Sequence, residues 1–358
     1  MSGVAMITTG GTGGHIFPGL AVAAELLAHG WRVFWLGTRE GMEARIVPEQ
    51  KLEFEALDFA SVRGKGWLRL LLGPFAILSA CVQARRVIRR RRPNVVLGFG
   101  GFASFPGGLM ALMQGVPLVI HNLDAKPGLA NRILRYGAEH VLTGFPRTFT
   151  GRRGVTWVGN PLREAILAVA PPEERFRGRA GPLDVLVVGG SLGAAALNER
   201  VPEALALLPA QARPAVMHQA GAKHFDTLKD AYARAGVDAE CVAFIEDMAA
   251  AYARADVVIC RSGATTVAEL AAVGIGSVLV PFPHAADDHQ VDNARALSER
   301  GAAELILQTE FTPQRLASWL REATRERLLA MATAARTLRK ADAARRVAET
   351  CIAAAQMR

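Results

Sequence analysis

The chain contains two glycine-rich turns, each of which follows a short apolar run and precedes a segment typical of a helix. The first is GGTGGH at residues 10–15, after the apolar residues 4–7, and the second is GGSLG at residues 189–193, after 185–188. Glycine lets the backbone bend tightly and approach a ligand closely, and the following helix points its first amides and positive dipole end at that ligand. The two turns predict two sites for phosphate-sized anions.

Short runs of Val, Ile and Leu alternate with segments of helical length, which is typical of parallel βαβ units. We predict strands at residues 4–9, 33–36, 95–99, 118–121, 141–143 and 156–158, and again at 185–188, 215–219, 241–244, 257–259 and 277–280. The predicted fold class is α/β, with two doubly wound, Rossmann-like parallel-sheet domains facing across a cleft. The expected limits are a first domain at 1–160, a Pro- and Gly-rich linker at 161–182, a second domain at 183–340 and a C-terminal helix at 341–358.

Composition is ordinary for a globular protein. The chain has 358 residues, of which 51% are hydrophobic and 21% charged, which suits two domains. Its four cysteines show no Cys-x-x-Cys pair, which favours buried thiols in a reducing cytoplasm. The N-terminus does not resemble a signal peptide, and the longest nearly apolar stretch, 70–82, is shorter than the roughly 20 residues that cross a bilayer. No transmembrane helix is expected.

Positive charge is concentrated in the first half of the chain. Residues 1–160 carry 19 Lys and Arg against 9 Asp and Glu, whereas the remainder is nearly neutral. An apolar segment, 67–75, is followed by Arg85, Arg86, Arg89, Arg90, Arg91 and Arg92. This pattern predicts a surface that rests on anionic membrane lipid, with a solvated helix face beside a core segment as the alternative. No nucleic acid partner is expected, because no set of stacking aromatics accompanies the arginines.

Neither turn carries the fingerprint of a cofactor site. A dinucleotide site requires Gly-x-Gly-x-x-Gly and an acidic residue at the end of the next strand. Ile16 occupies the third glycine position of the first turn, and the second strand ends at Thr38. The second turn also misses the pattern, and neither turn has the Gly-Lys-Ser/Thr of a nucleoside triphosphatase. We therefore predict no cofactor, and diphosphates held by backbone amides.

Two polar clusters follow strands of the second half. Residues 260–269 (CRSGATTVAE) turn at Ser262 and Gly263 and begin a helix, with Glu269 one to two turns from its start. A carboxylate there accepts hydrogen bonds from a ribose diol, or serves only as a favourable charge near a helix N-terminus. Further on, Gln290 and Asn293 lie three residues apart on one helix face, where their amides suit sugar hydroxyls.

Six motifs, taken in order, resemble those of the MurG family of glycosyltransferases. They are GGTGGH at 10–15, GFGGFAS at 98–104, GNPLR at 159–163, GGS at 189–191, CRSGA at 260–264 and AADDHQ at 285–290. The resemblance covers nearly the whole chain, and the ordered set is far more specific than any single loop. It implies a two-domain GT-B enzyme that transfers GlcNAc from UDP-GlcNAc to lipid I, a polyprenyl-diphosphate acceptor, forming lipid II for peptidoglycan.

The resemblance also implies roles for particular residues. Ser191 would contact the donor diphosphate, the backbone of Ile245 the uracil, and Glu269 the ribose. Further donor contacts would come from Thr12, Gly13, Gly14, Asp124, Arg163, Ala264, Thr265, Thr266, Val267, Ala268, Gln290 and Asn293. The acceptor diphosphate would lie against Gly11, Gly13, Gly14, Gly100, Gly101 and Ser104.

The chain departs from the family pattern at two places. Residues 121–124 read HNLD where the family usually has HEQN, so the acidic second position is missing and Asp124 accepts but does not donate as an amide would. Leu192 stands where Gln is common, and a side-chain contact would be lost there.

The implied reaction inverts the anomeric carbon while UDP leaves. No Asp-x-Asp occurs to hold a metal, so we expect no metal and predict that helix N-terminal amides after Ser191 and Gly263 stabilise the leaving diphosphate. His15 is the candidate general base, since imidazole titrates near neutral pH, and its alternative role is only to hydrogen-bond the loop or an acceptor phosphate.

Two other functions are considered. A UDP-GlcNAc 2-epimerase of the same fold would use the same donor site but has no need of a lipid-facing basic surface. A non-catalytic polyanion-binding protein would explain the arginines but not His15, Glu269 and Gln290 around two loops. For the glycosyltransferase we expect a peripheral location on the cytoplasmic face of the bacterial inner membrane.

Overall fold

The computed structural model describes residues 3–11, 13–58, 67–149, 154–190, 193–283 and 288–357. The chain forms two compact units, one comprising Met1–Arg163 and Lys340–Arg358 and the other comprising Glu164–Arg339. Each unit contains one sheet whose described strands are all parallel and whose strand order reverses once. This confirms the predicted fold class of two doubly wound parallel-sheet domains.

The first unit consists of a seven-stranded sheet and its connecting helices. Its strands are β1 Val4–Thr8, β2 Arg32–Thr38, β3 Glu53–Leu57, β4 Val95–Gly98, β5 Leu118–Asn122, β6 His140–Thr143 and β7 Val155–Trp157. Its helices include α1 Gly13–Ala28, α2 Glu43–Glu49, α3 Trp67–Arg91, α4 Ser104–Met113 and α5 Leu129–Leu134. The strand order is β3-β2-β1-β4-β5-β6-β7. Buried apolar side chains of the strands pack against α3 and α4.

The sequence does not predict β3, because Glu53 and Glu55 interrupt its apolar character. The strand lies at the sheet edge, where both carboxylates pair with arginines of α3. Glu55 accepts from Arg90 at 2.6 Å and from Arg91 at 2.7 Å, and Glu53 accepts from Arg91 at 2.5 Å. Part of the arginine-rich segment therefore neutralises an edge strand.

The second unit consists of a six-stranded sheet and the helices around it. Its strands are β8 Asp184–Val188, β9 Ala215–Gln219, β10 Glu240–Val242, β11 Val257–Cys260, β12 Gly276–Leu279 and β13 Ala303–Leu305, in the order β10-β9-β8-β11-β12-β13. Its α-helices are α6 Glu164–Leu167, α7 Pro172–Arg175, α8 Ala195–Ala206, α9 Phe225–Ala235, α10 Met248–Arg254, α11 Ala264–Val273, α12 His289–Ser298, α13 Pro313–Glu322 and α14 Arg325–Arg336.

Buried Arg175 and partly buried Arg179 bond the beginning of the second unit to its sheet and helices. The Arg175 guanidinium donates to the backbone carbonyls of Ala170, Tyr252, Ala255 and Gly274. Arg179 and Arg325 donate to the two carboxylate oxygens of the fully buried Asp256, at 2.6 and 3.1 Å. Much of segment 161–182, which we expected to be a linker, is therefore bonded to the second unit.

The chain ends in helix α15, Ala343–Gln356, which belongs to the first unit. It packs against α1 and against β4, β5 and β6, and Cys351 is completely buried there. None of the helices in the described residues is both long and apolar enough to cross a membrane.

Candidate active site

Both sheets reverse their strand order beside the strand that precedes a glycine turn. In the first unit β1 leads into turn 10–14 and its neighbour β4 into loop 98–104. In the second unit β8 leads into turn 189–193 and its neighbour β11 into loop 260–263. Ligands of parallel α/β sheets bind beyond the carboxyl ends of the strands at such a switch point. Each unit therefore has one candidate anion site built from two adjacent loops.

Buried hydroxyl groups hold the two loops of the first unit together. Thr9 Oγ1 donates to Gly100 O at 3.3 Å, and Ser104 Oγ donates to Thr8 O at 2.7 Å while accepting from Gly100 N at 3.1 Å. Gly101 has φ of +81°, and a Cβ there would lie 2.7 Å from a carbonyl of turn 10–14, so glycine is required. Because the Ser104 hydroxyl is buried and supports the loop, its contact with an acceptor diphosphate stays a prediction.

A buried carboxylate that the sequence analysis missed supports the first turn from beneath. Glu43 Oε1 accepts from Thr38 N at 3.0 Å and from Thr38 Oγ1 at 2.7 Å, while Oε2 accepts from Gly11 N at 3.4 Å. The side chain has no exposed surface. A Cβ on Gly10, Gly37 or Gly41 would lie within 2.6 Å of its atoms. These glycines leave room for the Glu43 side chain.

Helix α1 begins directly at the first turn. Residues 13–14 supply first-turn amides at the switch point, and half-buried His15 follows them. Thr12 lies outside the described residues. Arg163, the last residue of the first segment of this unit, places its guanidinium 4.8 Å from the ring centroid of Phe17 in the same helix.

The motif that departs from the family pattern, residues 121–124, is partly structural. His121 is fully buried, which lowers its pKa to about 4, and its Nε2 donates to Gly159 O at 2.9 Å. Asn122 donates through Nδ2 to Asp124 O at 2.7 Å and accepts from Asn131 Nδ2 at 3.0 Å. Asn122 therefore uses its amide to fix the backbone of Asp124, a contact that the glutamate usual in the family could not donate.

In the second unit the glycine turn is braced by a side chain from β9. Gln219 Oε1 accepts from Gly190 N, and its Nε2 donates to Gly190 O, both at 3.1 Å. The same Nε2 donates to Ala243 O at 3.2 Å, near the predicted uracil contact at Ile245. Ser191, predicted to meet the donor diphosphate, and Leu192 lie outside the described residues.

Helix α11 carries the largest group of predicted donor contacts. It begins after Gly263, so its first-turn amides lie at the switch point beside β11. The predicted residues on it are Ala264, Thr265, Thr266, Val267, Ala268 and Glu269. Glu269 is only 8% exposed, and its Oε2 accepts from the hydroxyl of Tyr252 at 3.0 Å.

Hydrogen bonds tie the turn before α11 to helix α12. Ser262 Oγ donates to Gln290 O at 2.7 Å, and the fully buried Asn293 donates to Ser262 O at 3.1 Å. Gln290 Oε1 accepts from Phe282 N at 2.9 Å. Ile245 is buried and follows β10. Residues 284–287, which include part of the AADDHQ motif, lie outside the described residues.

The structure places the predicted residues in two groups, one in each unit. The first group consists of Gly11, Gly13, Gly14, His15, Gly100, Gly101, Ser104, Asp124 and Arg163, and the second of Ile245, Ala264 to Glu269, Gln290 and Asn293. Within the described residues no group of three or more His, Cys, Asp or Glu side chains suits a metal ion. Glu43, Gln219 and Tyr252 are the supporting residues that sequence reasoning missed.

Comparison with known proteins identifies the family. Residues 5–143 match the glycosyltransferase family 28 N-terminal domain, and residues 184–347 match the C-terminal domain of that family. A protein of Dechloromonas aromatica is 54% identical over 351 residues, covering 98% of this chain and 99% of its own length. One from Aromatoleum aromaticum is 55% identical over 346 residues, covering 97% and 96%. Both are named UDP-N-acetylglucosamine--N-acetylmuramyl-(pentapeptide) pyrophosphoryl-undecaprenol N-acetylglucosamine transferase.

Solved structures agree with this relationship. The crystal structure of Acinetobacter baumannii MurG matches with a TM-score of 0.85 and 38% identity, covering 98% of this chain and 99% of that one. A UDP-N-acetylglucosamine 2-epimerase matches with a TM-score of 0.68 and 13% identity, covering 100% and 97%, which shows the shared fold alone. The chain therefore belongs to glycosyltransferase family 28 and, within it, to the MurG enzymes.

Proposed function

We propose that this chain is an inverting glycosyltransferase that moves GlcNAc from UDP-GlcNAc to the C4 hydroxyl of the muramoyl residue of lipid I, giving lipid II. The observation that carries the proposal is the glycine turn with a helix N-terminus at the switch point of each sheet. Two substrates that each contain a diphosphate need two such anion sites. The relatives with this named activity match the chain over nearly its full length.

In this proposal the second unit binds the donor. Glu269 binds the ribose diol, the backbone of Ile245 binds uracil, and Ser191 with the first-turn amides of α11 binds the diphosphate. The position of Glu269 on α11, one to two turns after the first-turn amides at the switch point, supports its role. Gln290 and Asn293, whose helix is hydrogen-bonded to the turn before α11, are proposed to contact the transferred sugar.

The first unit binds the acceptor and supplies the base. His15 removes the proton of the attacking hydroxyl while that oxygen bonds to the anomeric carbon and the bond to the diphosphate breaks. UDP leaves with the electron pair, and backbone amides stabilise its charge. Thr12, Gly13, Gly14, Asp124 and Arg163 are proposed to approach the donor from this unit.

A product assay tests the reaction. The purified chain is incubated with UDP-GlcNAc and a lipid I analogue, and a β-linked disaccharide is expected, whereas free epimerised sugar would support the epimerase. His15→Ala should lower kcat by about 10²–10⁴-fold with donor affinity retained. His29→Ala, at an exposed histidine directly after the far end of the same helix, is the matched control. Turnover of His15→Ala equal to that of the control would remove His15 from the chemistry.

We also propose that the first unit rests on anionic membrane lipid rather than on nucleic acid, as a peripheral protein of the inner membrane. On α3, Phe75 is 71% exposed, Leu78 62% and Val82 42%, and their spacing places them on one helix face. Exposed Arg85, Arg86 and Arg89 follow on the same helix. The side chains of 67–73, which the sequence analysis included in this surface, lie outside the described part of the chain.

Liposome sedimentation tests the membrane surface. Phe75→Ser combined with Leu78→Ser should reduce binding to vesicles that contain anionic lipid, because both apolar contacts are lost. Leu207→Ser, at an exposed leucine of the second unit, is the control. Equal sedimentation of both variants would refute this surface.

A further inference from the structure

The Glu269 carboxylate is hydrogen-bonded to a buried tyrosine. Tyr252, on α10, has no exposed surface, and its hydroxyl donates to Glu269 Oε2 at 3.0 Å. An ionised carboxylate is only an acceptor, and each of its oxygens accepts more than one hydrogen bond. The phenol therefore uses part of the hydrogen-bonding capacity of the Glu269 carboxylate and fixes the direction in which its oxygens accept further hydrogen bonds.

One guanidinium ties together the two helices that carry this pair. Arg175 donates through Nη1 to the carbonyl of Tyr252 at 3.4 Å and through Nη2 to the carbonyl of Gly274, which ends α11. Arg175 is itself only 8% exposed. The hydroxyl of Tyr252 and the carboxylate of Glu269 thus belong to helices that are bonded to a common buried group.

A fixed carboxylate differs from a flexible one in the conformational entropy that is lost when a ligand binds. A free glutamate side chain loses about 1.5–2 kcal/mol of rotamer freedom when it is ordered. If a ligand has to order it, that loss is subtracted from the affinity, whereas a side chain ordered beforehand adds no such cost. Only a ligand group that bonds to the carboxylate gains from this ordering.

We infer that Tyr252 is a positioning residue for donor specificity, holding the Glu269 carboxylate in the orientation that recognises the ribose diol. The inference rests on the proposed function, in which Glu269 binds the ribose. The phenol itself does not touch the substrate. Its effect should therefore appear with ligands that have ribose hydroxyls and disappear with ligands that lack them.

Calorimetry with UDP and 2′,3′-dideoxy-UDP tests this inference. The unaltered chain should prefer UDP by at least about 10-fold, since dideoxy-UDP has no ribose hydroxyls to donate to the carboxylate. Tyr252→Phe keeps the ring in place and removes only the hydroxyl. It should weaken UDP binding by about 5- to 20-fold and change dideoxy-UDP binding by less than about 2-fold.

Tyr232→Phe is the matched control. Tyr232 is also buried in the second unit, and its hydroxyl donates to His218 Nδ1 at 3.0 Å. Removing this hydroxyl therefore breaks a hydrogen bond of the same length that does not involve Glu269. Its preference for UDP over dideoxy-UDP should stay unchanged. In a Glu269→Ala background, Tyr252→Phe should no longer alter that preference.

The outcomes separate the inference from the proposed function. If the unaltered chain binds both nucleotides equally, the ribose contact of Glu269 fails. If the unaltered chain prefers UDP over dideoxy-UDP and the Tyr252→Phe variant shows the same preference, the ribose contact stands and the role of Tyr252 is overturned. If Tyr252→Phe weakens both nucleotides to the same extent, the tyrosine is a structural residue only, and the inference is again overturned.

Discussion

The substitution Gln219→Leu should uncouple the second glycine turn from the sheet beneath it. The amide of Gln219 is 3% exposed and makes three hydrogen bonds, two to Gly190 and one to Ala243, at 3.1 to 3.2 Å. Leucine has a similar volume but can neither donate nor accept. At about 0.5–1.5 kcal/mol for each bond, the free energy of unfolding should fall by about 3 kcal/mol.

The effect on ligand binding should depend on the diphosphate. With its brace removed, the turn has to be ordered by the ligand, and UDP affinity should fall by about 10- to 100-fold. Uridine lacks the diphosphate, so its binding is affected only by the lost hydrogen bond to Ala243, and its affinity should fall by about 3-fold or less.

Isothermal titration with UDP and uridine, together with urea unfolding, measures these quantities. Gln211→Leu, at an exposed glutamine of the same unit, is the control and should alter neither nucleotide affinity nor the free energy of unfolding. A Gln219→Leu protein that is less stable but binds UDP as tightly as the unaltered chain would refute the assignment of this turn to the diphosphate. Equal losses for UDP and uridine would refute the same assignment.

Glu43→Gln should lower kcat/KM for the lipid I analogue by about 10-fold with UDP affinity unchanged, because an amide cannot accept hydrogen bonds through both of the positions that Glu43 uses. Glu49→Gln, at an exposed glutamate, is the control, and an equal effect of the two substitutions would contradict this prediction. Asp256→Asn should lower the free energy of unfolding in urea by about 3 kcal/mol, since two partly buried arginines lose their counter-charge, and a loss below about 1 kcal/mol would refute the buried pairing. Burial lowers the pKa of His218 to about 3, so the unfolded chain takes up a proton below pH 6.5 that the folded chain does not, and stability falls as the pH is lowered. Between pH 7.5 and 5.5 His218 should account for about 1.4 kcal/mol of this loss and buried His121 for a similar amount, so His218→Gln should remove about half of it; an unchanged pH dependence in that variant would show that His218 is not responsible.

The strands could be predicted wherever the chain is apolar on both faces of a buried sheet. Strand β9 lies at the predicted residues 215–219, and β8 differs from the prediction by one residue. The edge strands β3 and β13 could not be predicted, since Glu53, Glu55 and Glu304 interrupt their apolar runs. In β3 these charges pair with α3, a tertiary contact that no local pattern contains.

The loops of the candidate site could be predicted because glycine marks a turn in the sequence itself. The residues that support these loops could not be predicted. Glu43 is 32 residues from Gly11, Gln219 is 29 from Gly190 and Tyr252 is 17 from Glu269 along the chain. Each is joined to that partner by one or two hydrogen bonds, which exist only after the sheet has formed. Ser104 is the reverse case, since its motif suggested a ligand contact and its hydroxyl lies within the loop.

The two glycine turns are supported by different chemistry, and this difference affects how each holds an anion. Glu43 places a buried negative charge beneath the first turn, whereas the amide of Gln219 beneath the second is neutral. Two like charges about 8 Å apart repel by about 2 kcal/mol at an effective dielectric constant of 20. A diphosphate at the first turn therefore needs positive charge nearby to offset Glu43, while amide dipoles alone suffice at the second. Arg163, whose guanidinium lies 4.8 Å from the ring centroid of Phe17 in the helix that begins at this turn, is the candidate for that charge, because Arg90 and Arg91 already pair with Glu55 and Glu53.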